Sequence, residues 1–369
     1  MTAPSYPAAR AIAPRIQAHF AEHHSPLEAS VIETLIDAAF WASLRREEGV
    51  TPKISLAYVA PEHTGEPLLF GHPLTPSASS LAKLAPAVER PGIHLGVWPI
   101  DGELCVWGTT QHLPPNCFVI EVVASGLLVV KQRSAQMGKF VNVAVLEGDE
   151  VKFVDERTAR EPGCPGVLQS LLGFGPSGPI AGVEGVNVLV QIAASMRSHG
   201  RGGALLVTPS GSDEWLLSVV SPMAYALNPP FTALSALIRK HGRIVTEPGG
   251  IDDDMRHAVE GVAGLTAVDG AMVINDAYDV LAFGVKITRR KGSASVERIT
   301  VTEPIEGSAH TVVAPGQFGG TRHLSAAQFV HDQRDAIALV ASQDGRFTIF
   351  KWSPAEDMVH AHRVEALLL

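Results

Sequence analysis

Cysteine is scarce in this chain of 369 residues: Cys105, Cys117 and Cys164 are the whole set, and no two form a Cys-x-x-Cys pair. An odd, unpaired set supplies no disulfide framework and no zinc-knuckle spacing, so the thiols read as buried or incidental groups in a reducing compartment. Positive charge is also short. Lys and Arg total 29 against 38 Asp and Glu, a formal net charge of −9. That balance excludes a general binder of DNA, RNA or an anionic membrane, whose footprint is a basic excess, but leaves room for a local basic pocket. No apolar run approaches the ~20 residues of a membrane-spanning helix. The stretch Met1–Ala13 holds Pro4 and Pro7 and no apolar core segment, so it does not read as a signal peptide. A cytoplasmic protein without membrane contact is expected.

What is present is a globular composition, 46% hydrophobic and 18% charged, with length enough for two cores. Residues 1–14 read as a flexible tail. Residues 15–156 read as a smaller α/β domain: helix from Ile16 to Glu48 in two pieces around Ser25-Pro26, a strand at Lys53–Val59 and a short helix at Ser77–Leu84. A hairpin follows over Leu95–Thr109, turning at Asp101-Gly102, an Asp-Gly flanked by strand formers. Strands at Phe118–Ala124, Gly126–Gln132, Phe140–Leu146 and Glu150–Asp155 complete it.

Residues 157–185, rich in Gly and Pro, read as a linker. Within them Gly173-Phe174-Gly175-Pro176-Ser177-Gly178 matches GxGxxG, but no strand precedes it and Pro176 and Pro179 interrupt the required helix. Residues 186–369 read as a second α/β domain with helices at Val186–Ser198, Phe231–Lys240, Met255–Gly264 and Leu324–His331. Its strands fall at Ala204–Thr208, Trp215–Val220, Gly270–Ile274, Asp279–Ile287, Val296–Val301, Ala336–Ala341 and Arg346–Trp352. The two halves echo one another faintly: Phe40–Val59 parallels Ile192–Val207, and Trp98–Gly108 parallels Val268–Gly284. His360 and His362 could share one face of a strand, but two histidines are no metal site.

Two stretches in the second half carry chemistry. Asp269, followed by Gly270, is placed to ligate Mg²⁺ or Mn²⁺ or to assist deprotonation of a ribose hydroxyl; equally, Asp-Gly is a common turn pair. Gly319 and Gly320 lead into Thr321-Arg322-His323 at a helix start. There the backbone N–H groups, the Arg322 fork, the Thr321 hydroxyl and a His323 ring N–H suit a phosphate; alternatively Thr321 is a helix cap beside solvated polar residues.

The order of motifs from Gly202 to Phe350 resembles the diadenylate cyclase (DAC) domain. The likeness is carried by GGALLVTP (Gly202–Pro209), DGAMVI (Asp269–Ile274), GTRHLSAA (Gly320–Ala327) and DAIALVASQDGRFTIF (Asp335–Phe350). The first half, with ISLAYV (Ile54–Val59) and GVWPIDGELCVWG (Gly96–Gly108), resembles the N-terminal portion of DAC-related sensor proteins of the DACNV type. The resemblance implies an α/β fold with a mixed central sheet, and, in active members, condensation of two ATP molecules to cyclic di-AMP at a face-to-face dimer with Mg²⁺ or Mn²⁺. It implies that Asp269 serves the metal and the attacking hydroxyl, that Gly270 and Ala271 lie beside the nucleotide, and that Gly320, Thr321, Arg322, His323 and Ser325 bind it. One position departs: the family's second arginine in Gly-Thr-Arg-His-Arg is Leu324 here, which has no donor for a phosphate.

The expectation is a sensor that binds ATP or a cyclic dinucleotide, impaired in catalysis and signalling to an effector protein, in a homo-oligomer; the alternative is an active cyclase. Mg²⁺ or Mn²⁺ with the nucleotide is the cofactor that fits either reading.

Overall fold

The computed structural model describes residues 5–22, 27–47, 49–134, 139–161, 163–172, 174, 188–241 and 253–369. It forms two compact units, residues 1–154 and 155–368. Each is built on one mixed sheet, the α/β class expected. Among the described residues no helix is long and apolar enough to cross a membrane.

The first unit opens with helices α1 (Pro7–Ala21) and α2 (Ala29–Ser43). The expected loose tail is therefore helical from Pro7, and Ala9, Ile12, Ala13 and Ile16 are buried. Proline at the first helical position lacks only an N–H that has no intrahelical partner anyway. Ser25-Pro26 lie outside the described residues. Then come β1 (Ile54–Tyr58), β2 (Leu68–Leu74), α3 (Ala78–Val88), β3 (His94–Ile100), β4 (Glu103–Thr110), β5 (Phe118–Ala124), β6 (Leu127–Arg133), β7 (Phe140–Glu147) and β8 (Glu150–Phe153). Ser77 caps α3 in a reciprocal capping box with Ser80. The hairpin turn at Asp101-Gly102 has φ of 52° and 83°, the left-handed pair a tight hairpin requires. Ile12, Ile16 and Phe20 of α1, Ile32, Leu35 and Ile36 of α2, and Leu81 of α3 cover one sheet face bearing Ile54, Leu56, Leu95 and Ile120. The edge strand β2 gave no sequence signal, because most of its side chains are exposed and it lacks alternation.

The second unit contains α4 (Gly166–Leu171), α5 (Val188–Ser198), β9 (Gly203–Thr208), β10 (Tyr225–Phe231), α6 (Ala233–His241), α7 (Asp253–Leu265), β11 (Ala271–Asn275) and β12 (Val280–Val285). It continues with β13 (Ile299–Thr302), β14 (Thr311–Val313), α8 (Pro315–Phe318), α9 (Thr321–Asp332), β15 (Ile337–Ala341), β16 (Phe347–Ser353) and β17 (Met358–Arg363). Part of the expected linker is ordered structure of this unit: Glu156–Arg160 form a short helical turn, and Val167, Leu168 and Leu171 of α4 are buried. The GxGxxG match lies outside the described residues except for Phe174. Where a return strand was expected at Trp215–Val220, Glu214–Ser218 form a helical turn, and the edge strand is β10. The helix N-cap is Gly320, not Thr321, which is the first helical residue.

The sheet orders reveal a repeat. The first sheet runs β2-β4-β3-β1-β5-β6-β7-β8 and the second β10-β12-β11-β9-β15-β16-β17-β13-β14. In both, a central strand pairs parallel to the strand after the next helix and antiparallel to a later one. Leu56 of β1 pairs with Leu95 and Ile120, and Leu205 of β9 pairs with Met272 and Leu339. The edge strands β2 and β10 share a register break after their second residue, and both run into Pro-apolar-Thr: Pro73-Leu74-Thr75 and Pro230-Phe231-Thr232. The units differ between the hairpin and the next central strand. Only residues 111–117 join β4 to β5, whereas β13, β14, α8 and α9 stand between β12 and β15.

Candidate functional site

The extra segment builds the site. Ala326, Ala327, Phe329 and Val330 of α9 pack on Ala204, Leu206, Val273, Ala338 and Phe350 of the second sheet. This fixes the N-terminus of α9 beside the ends of β9, β11, β12 and β15. A cleft of about 450 Å³ opens there, lined by Ala204, Asp269, Gly270, Ala271, Val285, Lys286, Ile287, Gly320, Thr321, Arg322, His323, Ser325, Ala341 and Ser342. The two distant stretches singled out in the sequence thus meet, and every candidate residue from Asp269, Gly270 and Ala271 to Gly320, Thr321, Arg322, His323 and Ser325 lines one cleft.

The donors of α9 are open. Gly320 offers no side-chain cap; the His323 and Leu324 N–H groups donate to the Gly320 carbonyl, which leaves the N–H groups of Thr321 and Arg322 and the positive end of the helix without a side-chain cap at the cleft. Arg322 is half-buried, and its side chain makes no hydrogen bond or ion pair among the described residues. Its Nη1 passes so close to Gly202 (φ 69°) that a Cβ there would lie 3.1 Å away. Gly202 therefore clears the path of the guanidinium.

His323 is 7% exposed and sits edge-on to Phe318 and Phe350, with ring centroids 5.6 and 6.1 Å away. A Cβ on Gly319 would come within 2.6 Å of the imidazole, which explains the first glycine of the pair. Burial holds the His323 pKa below its ordinary value, so the ring is neutral near pH 7. It brings one N–H donor to the cleft rather than a charge, and its ring makes no hydrogen bond among the described residues.

Asp269 is exposed, and its Oδ2 accepts a 2.6 Å hydrogen bond from Lys286 Nζ. That ammonium, with Arg322 contributing less, holds the carboxyl below the usual carboxylate range. The sequence reading passed over Lys286. It lies one residue beyond the strand pair Ala271↔Val285. Two register irregularities in the hairpin put it opposite Gly270; counting back evenly from Ile274↔Val280 would place Phe283, not Val285, across from Ala271. Gly270 (φ 117°) is required because a Cβ would lie 2.5 Å from the Gly284 backbone carbonyl carbon. The group that approaches Gly270 is thus its own hairpin partner.

Leu324 is 42% exposed and does not line the cleft. Leu324 thus belongs to the outward surface of α9 and not to the cleft lining. A resident divalent ion does not fit these residues. Asp269 is the single carboxylate lining the cleft, one of its oxygens is already held by an ammonium, and among the described residues no cluster of three or more His, Cys, Asp or Glu forms a metal-holding group. His362 Nδ1 is 2.7 Å from Thr302 Oγ1, and His360 Nε2 lies 2.9 Å from Glu356 Oε2, an ion-pair contact without a well-aligned hydrogen bond.

Residues 22–111 match the family described as probable sensor domain DACNV. The DACNV segment lies wholly in the first unit, from the end of α1 past β4, and so apart in sequence from every residue of the cleft. None of the curated proteins matches this chain. Among solved structures, the hypothetical membrane spanning protein from Bacillus cereus aligns at 15% identity over 47% of this chain and 61% of its own length, with a TM-score of 0.25.

Proposed function

We propose that this DACNV-type sensor protein binds a nucleotide or cyclic dinucleotide in the cleft of its second unit and passes the bound state to a partner protein. The observation that carries the reading is the convergence on one cleft of a helix end without a side-chain cap, an Arg322 side chain without an ion-pair partner among the described residues, and the His323 ring. The neutral His323 ring can donate its N–H to an acceptor in the cleft. A helix N-terminus flanked by a guanidinium suits phosphate oxygens. Asp269, paired with Lys286 rather than free, favours binding over turnover.

Calorimetry of the full chain against ATP and a panel of cyclic dinucleotides tests it. Binding by at least one, weakened in Arg322→Ala, is the expected result; no binding by folded protein overturns it. The second reading, an active diadenylate cyclase, rests on the position of Asp269 across the cleft from Thr321 and Arg322. Incubation with ATP and Mn²⁺ should give no cyclic di-AMP. Product that disappears in Asp269→Asn would replace the sensor reading with the cyclase.

A further inference from the structure

The cleft contains two cations and one carboxylate. Lys286 and Arg322 stand against Asp269, and His323 is neutral, so the lining carries one net positive charge before the helix end is counted. Lys286 Nζ occupies the coordination space of Asp269 Oδ2 at 2.6 Å, and a divalent ion placed on that oxygen would meet an ammonium at close range. Both side chains are well exposed, at 56% for Lys286 and 89% for Asp269, so the ammonium stands at the rim of the cleft with Asp269 as its anionic contact.

Resting on the nucleotide reading above, we infer that the cleft takes its phosphates without a divalent cation, Lys286 supplying the charge that a metal would otherwise bring. Asp269 is then a positioning residue. It keeps Lys286 extended along the β11–β12 end of the cleft, opposite the first turn of α9. An entering phosphate exchanges one anionic partner of Lys286 for another and gains the Arg322 guanidinium, the first N–H groups of α9 at Thr321 and Arg322, and the His323 ring N–H on its other side. The preferred species is free ATP or another uncomplexed nucleoside phosphate, because magnesium would neutralise the charge that Lys286 is placed to read.

The experiment is calorimetry of ATP binding to the full-length protein, in EDTA and again with Mg²⁺ or Mn²⁺, for the natural chain and for Lys286→Met, Lys286→Arg and Asp269→Asn. Thermal melts confirm that each variant folds, as substitutions at exposed positions should allow. The natural chain is expected to bind at least as tightly in EDTA as with metal. Lys286→Met should weaken binding in EDTA by about tenfold or more, Lys286→Arg should largely restore it, and Asp269→Asn should cost about fivefold or less. Binding that needs the metal, is abolished by Asp269→Asn and is unharmed by Lys286→Met would overturn the inference while leaving the nucleotide reading in place. Absence of ATP binding in every buffer, with a cyclic dinucleotide also failing, would overturn both.

Discussion

The two units have the same core of paired strands and put it to different use. Aligning Leu56 with Leu205 places Ser55 where Ala204 stands and His94 where Ala271 stands. In the second unit those small residues help to floor an open cleft. In the first, Ser55 Oγ and His94 Nδ1 lie 2.7 Å apart and both residues are buried. The same place on the sheet is filled by an internally satisfied polar pair, and no helix stands between β4 and β5 to bring an N-terminus there. A repeated sheet therefore does not imply a repeated site. The inserted helix makes the site, and the small side chains beneath it leave the room.

The strongest test of that comparison is at Gly270 and its counterpart Ile93, one residue before β3. Gly270→Ala forces a Cβ into the Gly284 backbone at a left-handed φ and should cost about 2–4 kcal/mol, measured by denaturant melts. Ile93→Ala, where a full side chain is already accommodated, should cost about 1 kcal/mol. Equal losses would show that the two hairpin entries are built alike.

Arg322→Ala should weaken nucleotide binding by about 1.5–3 kcal/mol, whereas His94→Ala in the first unit should leave affinity unchanged. A matching loss from His94→Ala would show that the first unit takes part in binding.

Acid should loosen the two units through different histidines. Burial lowers the pKa of His94 from 6.5 to about 4 and that of His362 to about 3. The unfolded chain takes up these protons first, so the contribution is intact above pH 6.5 and is lost as pH falls from there toward the folded values. Each histidine should contribute about 1.4 kcal/mol per pH unit within its window. Hydrogen exchange should show strands β1 and β3 losing protection in step with His94 and strands β13 and β17 with His362. A His94→Gln variant with an unchanged acid response in β1 and β3 would exclude the first assignment.

Because Gly320 is the N-cap, Thr321→Val should leave helix stability nearly unchanged while weakening binding by about 0.5–1.5 kcal/mol. The opposite pattern would make Thr321 a cap after all. The smallest effect is expected for Leu324→Arg. This position lies outside the cleft, so affinity for a single nucleotide should change by less than about 0.5 kcal/mol. A large gain would show that the α9 surface reaches the ligand.

Much was legible in the sequence because local chemistry speaks directly. The Asp101-Gly102 hairpin, the unbroken apolar run of β9 and the glycines before α9 each have a physical signature within a few residues. Even the repeat was faintly visible as helix, strand and a later hairpin. The edge strands β2 and β10 were not, since exposed strands need no apolar alternation. The start of α1 was masked by its prolines, which the first helical turn tolerates. Sequence alone determined which residue types the two stretches bring: one arginine, a histidine, hydroxyls and a carboxylate. Only the tertiary structure decided that Leu324 stands outside the cleft and that His323 is desolvated. It also decided that two irregularities in the β11–β12 register bring Lys286 onto Asp269. Register, burial and the direction of a helical side chain depend on contacts between strands and helices far apart in the chain, and no window of residues contains them.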